Sequence, residues 1–382
     1  MTIAPEVSNS ECRYREDLER HLSSLGEPDF EEMFRRMREK CHRPCNYAVD
    51  PRFGNSPRVV FCPERRKRPH VYEGRNPCPI CNGDVDKELL VTARRLSSGA
   101  YAFAQANSFS FLNPDETFDL MGEHGDFRGI NFLAWPTTQH KDIGEMPYED
   151  HALSFDLIGE LEQRIFNGKF HEPFGFKCCQ VVKNTGGITG NHLHGAYHVA
   201  FVSRFPQNIR RDFDFLNQTE EPFISWFNRK NPKGLVVRDY ETFSVAVPHF
   251  MKRPLEAIIY PKDEREWIGD LDEQEKLDLS RATSDVSYAL SLLMPAKELQ
   301  LDFSLVFHTG PGKMYIEVLP SSQRPGGFER AGLYVCEESP VMSARIYRKF
   351  FETYGKDSPG NRYNKMPSPE VRKEIRIDVL GE

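Results

Sequence analysis

KNTGGITGNHLHGAYHVAFV, residues 183–202, is the stretch from which the fold and chemistry of this chain are predicted. In a β-strand, side chains two positions apart share a face, so a strand here would project His192, His194 and His198 in one direction. Adjacent imidazoles can divide two roles, one as metal ligand and the other as nucleophile or base. The glycines before them would let backbone N–H groups cradle a phosphate. The alternative is that these histidines are structural, because a short pattern of this kind often arises by chance.

The composition argues against several classes of protein. At 382 residues, with 39% hydrophobic and 12% aromatic residues, the chain is long enough for two globular domains or one large duplicated unit. The net charge of −7 argues against a nucleic-acid-binding protein, because such proteins carry an excess of basic residues. No apolar run is long enough to cross a bilayer, and the N-terminus lacks the features of a signal peptide. We therefore predict a cytoplasmic protein with no nucleic-acid or membrane partner, whose nine cysteines are reduced thiols or metal ligands.

The residue pattern of the chain changes near residue 46. Residues 10–45 interleave Arg and Glu with few apolar residues, which is typical of solvated helices. A cationic segment follows at residues 64–69. Such segments usually lie on the solvated surface, but beside a phosphate site its arginines could bind phosphate oxygens. Strands are then predicted at 101–112, 130–136 and 174–182, and an amphipathic helix is predicted at 148–166.

A C-x-x-C motif at Cys78 and Cys81 has the spacing of a zinc knuckle. A redox pair is the alternative, but such a pair normally opens a helix after a strand, whereas prolines flank the first thiol here. Two thiolates supply half of a tetrahedral site, so two further ligands are required. The candidates are the histidines of the first half of the chain, namely His124, His140, His151, His171 and His192.

The second half of the chain repeats the order of the first. Strands end in Trp135-Pro136 and in Tyr260-Pro261, and each is followed by a helix and then by paired strands. In the second half the helix is predicted over 273–293, after a loop region around 208–231. This parallel order indicates an internal duplication.

These points together resemble galactose-1-phosphate uridylyltransferase and its relatives, the nucleotidyltransferase branch of the histidine-triad superfamily. The resemblance covers roughly residues 46 to 335. Its motifs are the Arg-Pro segment with Arg65 and Arg68, Cys78-x-x-Cys81, Asn107 in an Asn-x-Phe loop, Trp135-Pro136-x-x-x-His140, His192-Leu193-His194 and the late segment Gly326-Gly327-Phe328-Glu329.

The resemblance implies an α+β fold of two tandem histidine-triad-like units, with antiparallel sheets flanked by helices. A helical extension would occupy residues 1–45, the first unit 46–220 and the second unit 221–382. It further implies a closed, structural Zn²⁺ site, since four protein ligands leave no open position. The implied ligands are Cys78, Cys81, His140 and His192.

The same resemblance implies covalent catalysis. His194 would attack the α-phosphorus of a nucleotide or nucleotide sugar, and a phosphorylated small molecule would then displace the nucleotide from the histidine. The implied phosphate and substrate contacts are Arg65, Arg68, Asn107, Gly187 and Gly190, with Asn184 and Lys183 as weaker candidates. Members of the family commonly pair, so a homodimer is also expected.

The chain departs from the family pattern at three places. The link from Asn184 to His192 is shorter than the family's Gly-Ser-rich loop. Ala196 stands where the family has a phosphate-binding glutamine, and His198, two residues further along the same face, is the candidate substitute. Met314-Tyr315-Ile316 stands where some members have paired metal-binding histidines, so we expect His308 to lack partners and predict no second metal. These departures favour an unusual donor or acceptor. The alternatives are a nucleotide phosphorylase or hydrolase and a zinc-containing nucleotide-binding protein without turnover.

Overall fold

A computed structural model gives the fold as α+β, with a large antiparallel sheet and helices packed on it, as the resemblance implies. In the described part of the chain, no helix combines the length and apolar character needed to cross a membrane. The described residues are 13–27, 29–41, 45–50, 57–63, 80, 85–115, 118–119, 127–167, 175–186, 195–310, 312–355 and 367–381.

The secondary-structure elements follow one another along the whole described chain. The strands are β1 (Asn46–Val49), β2 (Pro57–Phe61), β3 (Leu90–Arg95), β4 (Tyr101–Ala106), β5 (Phe118–Asp119), β6 (Gly129–Trp135), β7 (Cys178–Gly186), β8 (Tyr197–Val202), β9 (Val236–Asp239), β10 (Phe243–Ala246), β11 (Ala257–Pro261), β12 (Asp302–His308) and β13 (Tyr315–Pro320). The helices are α1 (Arg13–Leu22), α2 (Phe30–Cys41), α3 (Tyr148–Asn167), α4 (Gln207–Thr219), α5 (Phe223–Lys230), α6 (Glu273–Ala296), α7 (Gly327–Arg330), α8 (Pro340–Thr353) and α9 (Pro369–Ile375).

The large sheet contains ten strands in the order β3-β4-β6-β8-β7-β12-β13-β11-β10-β9. Each half contributes five strands to this sheet. Numbered by their order in the chain, they lie from the sheet edge inward as first, second, third, fifth and fourth. The pairing of β7 with β12 joins the two halves into one sheet. Each half also carries its long helix between its third and fourth strands, α3 in one and α6 in the other. The boundaries 46–220 and 221–382 stay a prediction.

Helices α3 and α6 cover one face of this sheet. Alternate residues of the central strands, such as Val181, Val199 and Ile316, are fully buried in the main hydrophobic core on that side. Because strand side chains alternate, the residues between them project from the opposite face, which we call the open face. The open-face residues that matter below are Gln105, Leu133, Val182, Asn184, His198, Ser304, Val306 and Glu317.

Two helices, α1 and α2, lie within the predicted N-terminal extension, and α2 is less solvated than its charge pattern predicts. Phe30, Met33, Phe34 and Met37 recur at helical spacing along α2 and are buried in the main core. On the exposed side of the same helix, Arg35 pairs with neighbouring glutamates. The apolar stripe therefore docks α2 onto the rest of the fold.

The loop predicted around 208–231 is wrong, because α4 and α5 occupy most of it. Helix α4 spaces Ile209, Asp212 and Phe213 at three- and four-residue intervals, which places them on one side of the helix. The charged residues between them hide this periodicity in the sequence. The helix packs on the open face of the sheet, where Asp212 meets His308.

Cysteine pairing also differs from the prediction that the thiols are reduced or metal-bound. Strands β1 and β2 pair Asn46 with Phe61, so the next residues outward, Cys45 and Cys62, stand opposite each other. They form a disulfide, with Cα atoms 4.6 Å apart. Cys178 and Cys179, at adjacent positions on β7, are free and buried.

Candidate active site

The structure describes four of the twelve predicted site residues. Arg65, Arg68, Cys78, Cys81, Gly187, Gly190, His192 and His194 lie outside the described residues. The described ones are Asn107, His140, Asn184 and His198.

Strands β7 and β8 form the frame of the candidate site. They pair antiparallel, with Val182 opposite His198. Strand β7 ends at Gly186, whose φ of +114° is a conformation that residues with a Cβ rarely adopt. A Cβ on Gly186 would lie 2.2 Å from the carbonyl oxygen of Leu301, so the backbone requires glycine here. The chain that carries His194 therefore joins the ends of two strands whose register is fixed by pairing on both sides.

A row of open-face residues crosses the sheet through His198. The register pairs Gln105 with Leu133, Leu133 with His198, and His198 with Val182. Neighbouring strands lie about 4.8 Å apart, so Gln105 and His198 stand about 10 Å from each other on this face. His198 is partly exposed and faces the open side.

Asn184 and Ala196 lie next to this row, but only Asn184 has a polar side chain. The side-chain oxygen of Asn184 accepts a hydrogen bond from the Ser304 hydroxyl at 2.8 Å, and Asn184 is partly exposed on the open face. Ala196 is 4% exposed and packs in a small apolar cluster with Phe103 and Trp135. Position 196 therefore offers no polar group to a phosphate.

Lys183 is not available to a phosphate on the open face. It is fully buried on the helix-covered side, where its ammonium group pairs with Asp142 at 3.0 Å and donates to Thr185 at 3.3 Å. The prediction of Lys183 as a weak phosphate contact is therefore wrong. The alternation of β7 explains the outcome, because Asn184 and Lys183 must point to opposite faces.

A second buried polar group lies beside this ion pair. His151 on α3 hydrogen-bonds through Nε2 to the Tyr197 hydroxyl and through Nδ1 to the Ser284 hydroxyl, both at 2.8 Å. Burial lowers the pKa of His151 to about 3, helped by the positive charge of Lys183, so the ring is neutral. Since both ring nitrogens are engaged, His151 is not a zinc ligand. Instead it ties β8 to α3 and α6.

His140 is the one predicted zinc ligand among the described residues. It follows β6 in a loop and is partly buried. Burial lowers its pKa, and the positive charge of Arg15 acts in the same direction. A neutral imidazole is the form that binds a metal, so the environment of His140 fits the predicted role. Within the described ranges, no cluster of three or more His, Cys, Asp or Glu side chains could hold a metal ion.

Asn107 ends the β4 side of the site. Its side-chain amide donates to the Asn131 side chain at 2.5 Å, and its carbonyl oxygen accepts from the Phe109 N–H at 2.9 Å. Asn131 in turn donates to the Val199 carbonyl on β8 at 3.3 Å. These contacts hold the loop after β4 against Asn131 of β6, which in turn contacts β8, so Asn107 shapes the loop through its own side chain.

The expectation that His308 lacks partners is wrong. Its Nδ1 lies 2.5 Å from Asp212 on α4 and its Nε2 lies 3.1 Å from Glu317 on β13. The Tyr315 hydroxyl also donates to Asp212, at 2.9 Å. Burial alone would lower the pKa of His308, but its hydrogen bonds to the two carboxylates outweigh this and raise it. Burial would likewise raise the pKa of Glu317, and the bond to His308 lowers it to about 2 instead.

This charged cluster was missed because its members come from separate elements. The alternation of β13 predicts that Tyr315 and Glu317 share a face. The sequence contains no signal that α4 lies over them, and α4 supplies Asp212. The cluster fastens α4 to the β12–β13 hairpin on the open face.

Comparisons with solved structures place this fold in a known class. The chain is similar to a uridylyltransferase, with 17% identity, a TM-score of 0.56, and 65% of this chain and 85% of that chain covered. It is similar to an ADP-glucose phosphorylase from Arabidopsis thaliana with bound ADP-glucose, with 18% identity, a TM-score of 0.57, and 80% and 98% covered. A GalT-like protein from Arabidopsis thaliana gives 19% identity, a TM-score of 0.52, and 65% and 83% covered.

These similarities concern the fold. No family model matches the chain, and no curated protein sequence matches it. The fold resemblance drawn from the motifs is confirmed, because the same class of structures is found by shape.

Proposed function

We propose that the protein is a nucleotidyltransferase that moves a nucleoside monophosphate from a nucleotide or nucleotide sugar to a phosphorylated small molecule. The observation that carries the proposal is the pairing of β7 with β8, which presents Asn184 and His198 on the open face. In the sequence, His192-Leu193-His194 lies between these two strands. The fold is shared with proteins named as a uridylyltransferase and an ADP-glucose phosphorylase, which supports the same class of chemistry.

The proposed reaction has two steps. A ring nitrogen of His194 attacks the α-phosphorus, a phosphorus–nitrogen bond forms, and the bond to the leaving group breaks with its electron pair. A phosphate oxygen of the acceptor then attacks the same phosphorus, and the bond to His194 breaks. Backbone N–H groups at Gly187 and Gly190, with Arg65 and Arg68, would stabilise the negative charge on the phosphorus centre.

His198 and Asn184 complete the proposed phosphate site. Ala196 is buried in an apolar cluster, so the hydrogen bond that the family takes from this position must come from another residue. His198 lies on the open face two residues further along β8. We assign His198 the role of hydrogen-bond donor to the phosphate. Asn184, beside it on β7, would contact the phosphate or the acceptor.

The proposal includes a structural Zn²⁺ held by Cys78, Cys81, His140 and His192. A closed site with two sulfur and two nitrogen ligands supplies no catalytic water. It would fix the knuckle against the segment that carries His194. The partial burial of His140 and its lowered pKa support this assignment.

A phosphorylase or hydrolase is the second candidate, with inorganic phosphate or water as the acceptor. Two observations favour it: Ala196 departs from the transferase pattern, and the similarity to the ADP-glucose phosphorylase covers 98% of that chain. A nucleotide-binding protein without turnover is the third candidate, and the same alanine supports it. A homodimer and a cytoplasmic location also belong to the proposal; light scattering and cell fractionation test them.

Intact-protein mass spectrometry tests the proposed chemistry. The protein is mixed with nucleoside triphosphates and nucleotide sugars in turn, beside the variant His194→Ala. We expect an added mass equal to one nucleoside monophosphate in the wild-type protein and none in the variant. If wild-type protein binds nucleotide but no donor gives an adduct, covalent transfer is refuted. Adding phosphate, water alone or a sugar phosphate to the isolated adduct then distinguishes phosphorolysis, hydrolysis and transfer.

A further inference from the structure

The side chain of Gln105 has an unsatisfied polar atom in a buried position. Gln105 is 7% exposed, and within the described part of the chain its Oε1 has no hydrogen-bond partner. Buried polar atoms are nearly always paired, since leaving one unpaired costs the full free energy of removing it from water. This oxygen is therefore a candidate acceptor for a group that the described residues do not supply.

The surroundings of Gln105 are apolar on both sides. Its neighbours in β4, Ala104 and Ala106, pack in the main core, so Gln105 projects from the open face. The register places Leu90 of β3 on one side of it and Leu133 of β6 on the other. Both leucines are partly buried against the small apolar cluster on the open face. An acceptor oxygen thus lies between two aliphatic side chains.

This acceptor belongs to the same row as the proposed phosphate site. Leu133 pairs with His198, so Gln105 is two strands from that histidine. A nucleotide has matching chemistry, with a phosphate at one end and, at the other, a flat base that has apolar faces and N–H donors on its edge. Bases and side-chain amides pair through these donors and acceptors.

We propose that Gln105 anchors the nucleobase of the bound nucleotide by accepting a hydrogen bond from an N–H group on the edge of the base. Leu90 and Leu133 pack against the base on either side of the amide. The inference rests on the proposed function, because it places the phosphate of the same ligand beside His198. The ligand class is a nucleoside 5′-phosphate, and a sugar phosphate without a base lacks the group that Gln105 recognises.

The proposal predicts opposite effects on stability and on binding. In the free protein the unpaired oxygen is destabilising, so replacing the amide with an aliphatic side chain of similar size should stabilise the fold. In the complex the same replacement removes a hydrogen bond to the base, so binding should weaken. A purely structural glutamine would lose stability on replacement.

The test uses Gln105→Leu and the control Gln218→Leu, which changes an exposed glutamine at the end of α4. Calorimetric titration of AMP, UMP, GMP, CMP and ribose 5-phosphate measures binding, and urea unfolding without ligand measures stability. We expect Gln105→Leu to weaken the tightest-binding nucleoside monophosphate at least tenfold and to raise the urea midpoint. Ribose 5-phosphate should bind both variants and the wild-type protein equally.

A second arm removes the donor from the ligand. The tightest-binding nucleotide, methylated at its edge N–H, should bind the wild-type protein at least tenfold more weakly, and the Gln105→Leu protein without further loss. The inference is overturned if Gln105→Leu binds nucleoside monophosphates within twofold of wild type, or if its urea midpoint falls. It is also overturned if the wild-type protein does not prefer nucleoside monophosphates to ribose 5-phosphate.

The two proposals fail separately. If the His194 adduct forms but Gln105→Leu binds normally, the base contact is wrong and nucleotidyl transfer stands. If no adduct forms but Gln105→Leu discriminates as predicted, the base contact stands and covalent transfer is wrong.

Discussion

Glu162 is a buried carboxyl group that should stay protonated at neutral pH. It lies on α3, is 2% exposed, and accepts a hydrogen bond from the Gly269 N–H at 2.8 Å. Burial raises its pKa from 4.5 to about 8, against the lowering effect of the Gly269 bond. The folded protein therefore holds a proton that the unfolded chain releases well below neutral pH.

The sign and size of the effect follow from this difference in proton binding. Between pH 4.5 and about 8 the folded state binds one more proton than the unfolded state. Stability therefore falls as pH rises through this window, by about 1.4 kcal/mol per pH unit. At pH 7 the accumulated loss is about 3 kcal/mol. In the variant Glu162→Gln the neutral amide needs no proton, so this loss disappears.

Urea unfolding at pH 5, 6, 7 and 8 measures the effect. The advantage of Glu162→Gln over wild type should grow steadily with pH, whereas any cost of fitting the amide is the same at every pH. Glu149→Gln is the matched control on the same helix, because Glu149 is exposed. The difference in stability between Glu149→Gln and wild type should not grow with pH at the same slope. A stability difference for Glu162→Gln that is independent of pH would refute the protonated, buried carboxyl group.

Two further predictions concern a buried ion pair and the zinc site. Lys183→Met should reduce the free energy of unfolding by about 3–5 kcal/mol, because it leaves Asp142 buried without its cation; the double variant Lys183→Met/Asp142→Leu should recover most of this in urea unfolding. A double variant as unstable as the single one would contradict this account. Cys81→Ser should lose zinc by metal analysis and lower the thermal midpoint, whereas Cys336→Ser, at a free cysteine, should do neither. Zinc retained at wild-type level in Cys81→Ser would exclude Cys81 as a ligand.

Much of the secondary structure could be predicted from periodicity. The predicted helix over 273–293 corresponds to α6, and the paired strands predicted after it correspond to β12 and β13. Apolar residues with a period of 2 or 3.6 determine these elements locally, so a single sequence carries the signal. Helix α4 was missed because charged residues interrupt its apolar side.

The sequence by itself determined the α+β class, the alternation of faces along β7 and β8, and the order of motifs that resembles a nucleotidyltransferase. Only the tertiary structure decided which face the helices cover, and therefore that Lys183 is buried while Asn184 and His198 lie on the open face. Asp212 reaches His308 across 96 residues of chain, and the amide oxygen of Gln105, unpaired among the described residues, lies between neighbours on adjacent strands. Periodicity describes one element at a time, whereas burial, pairing and pKa depend on which elements pack together.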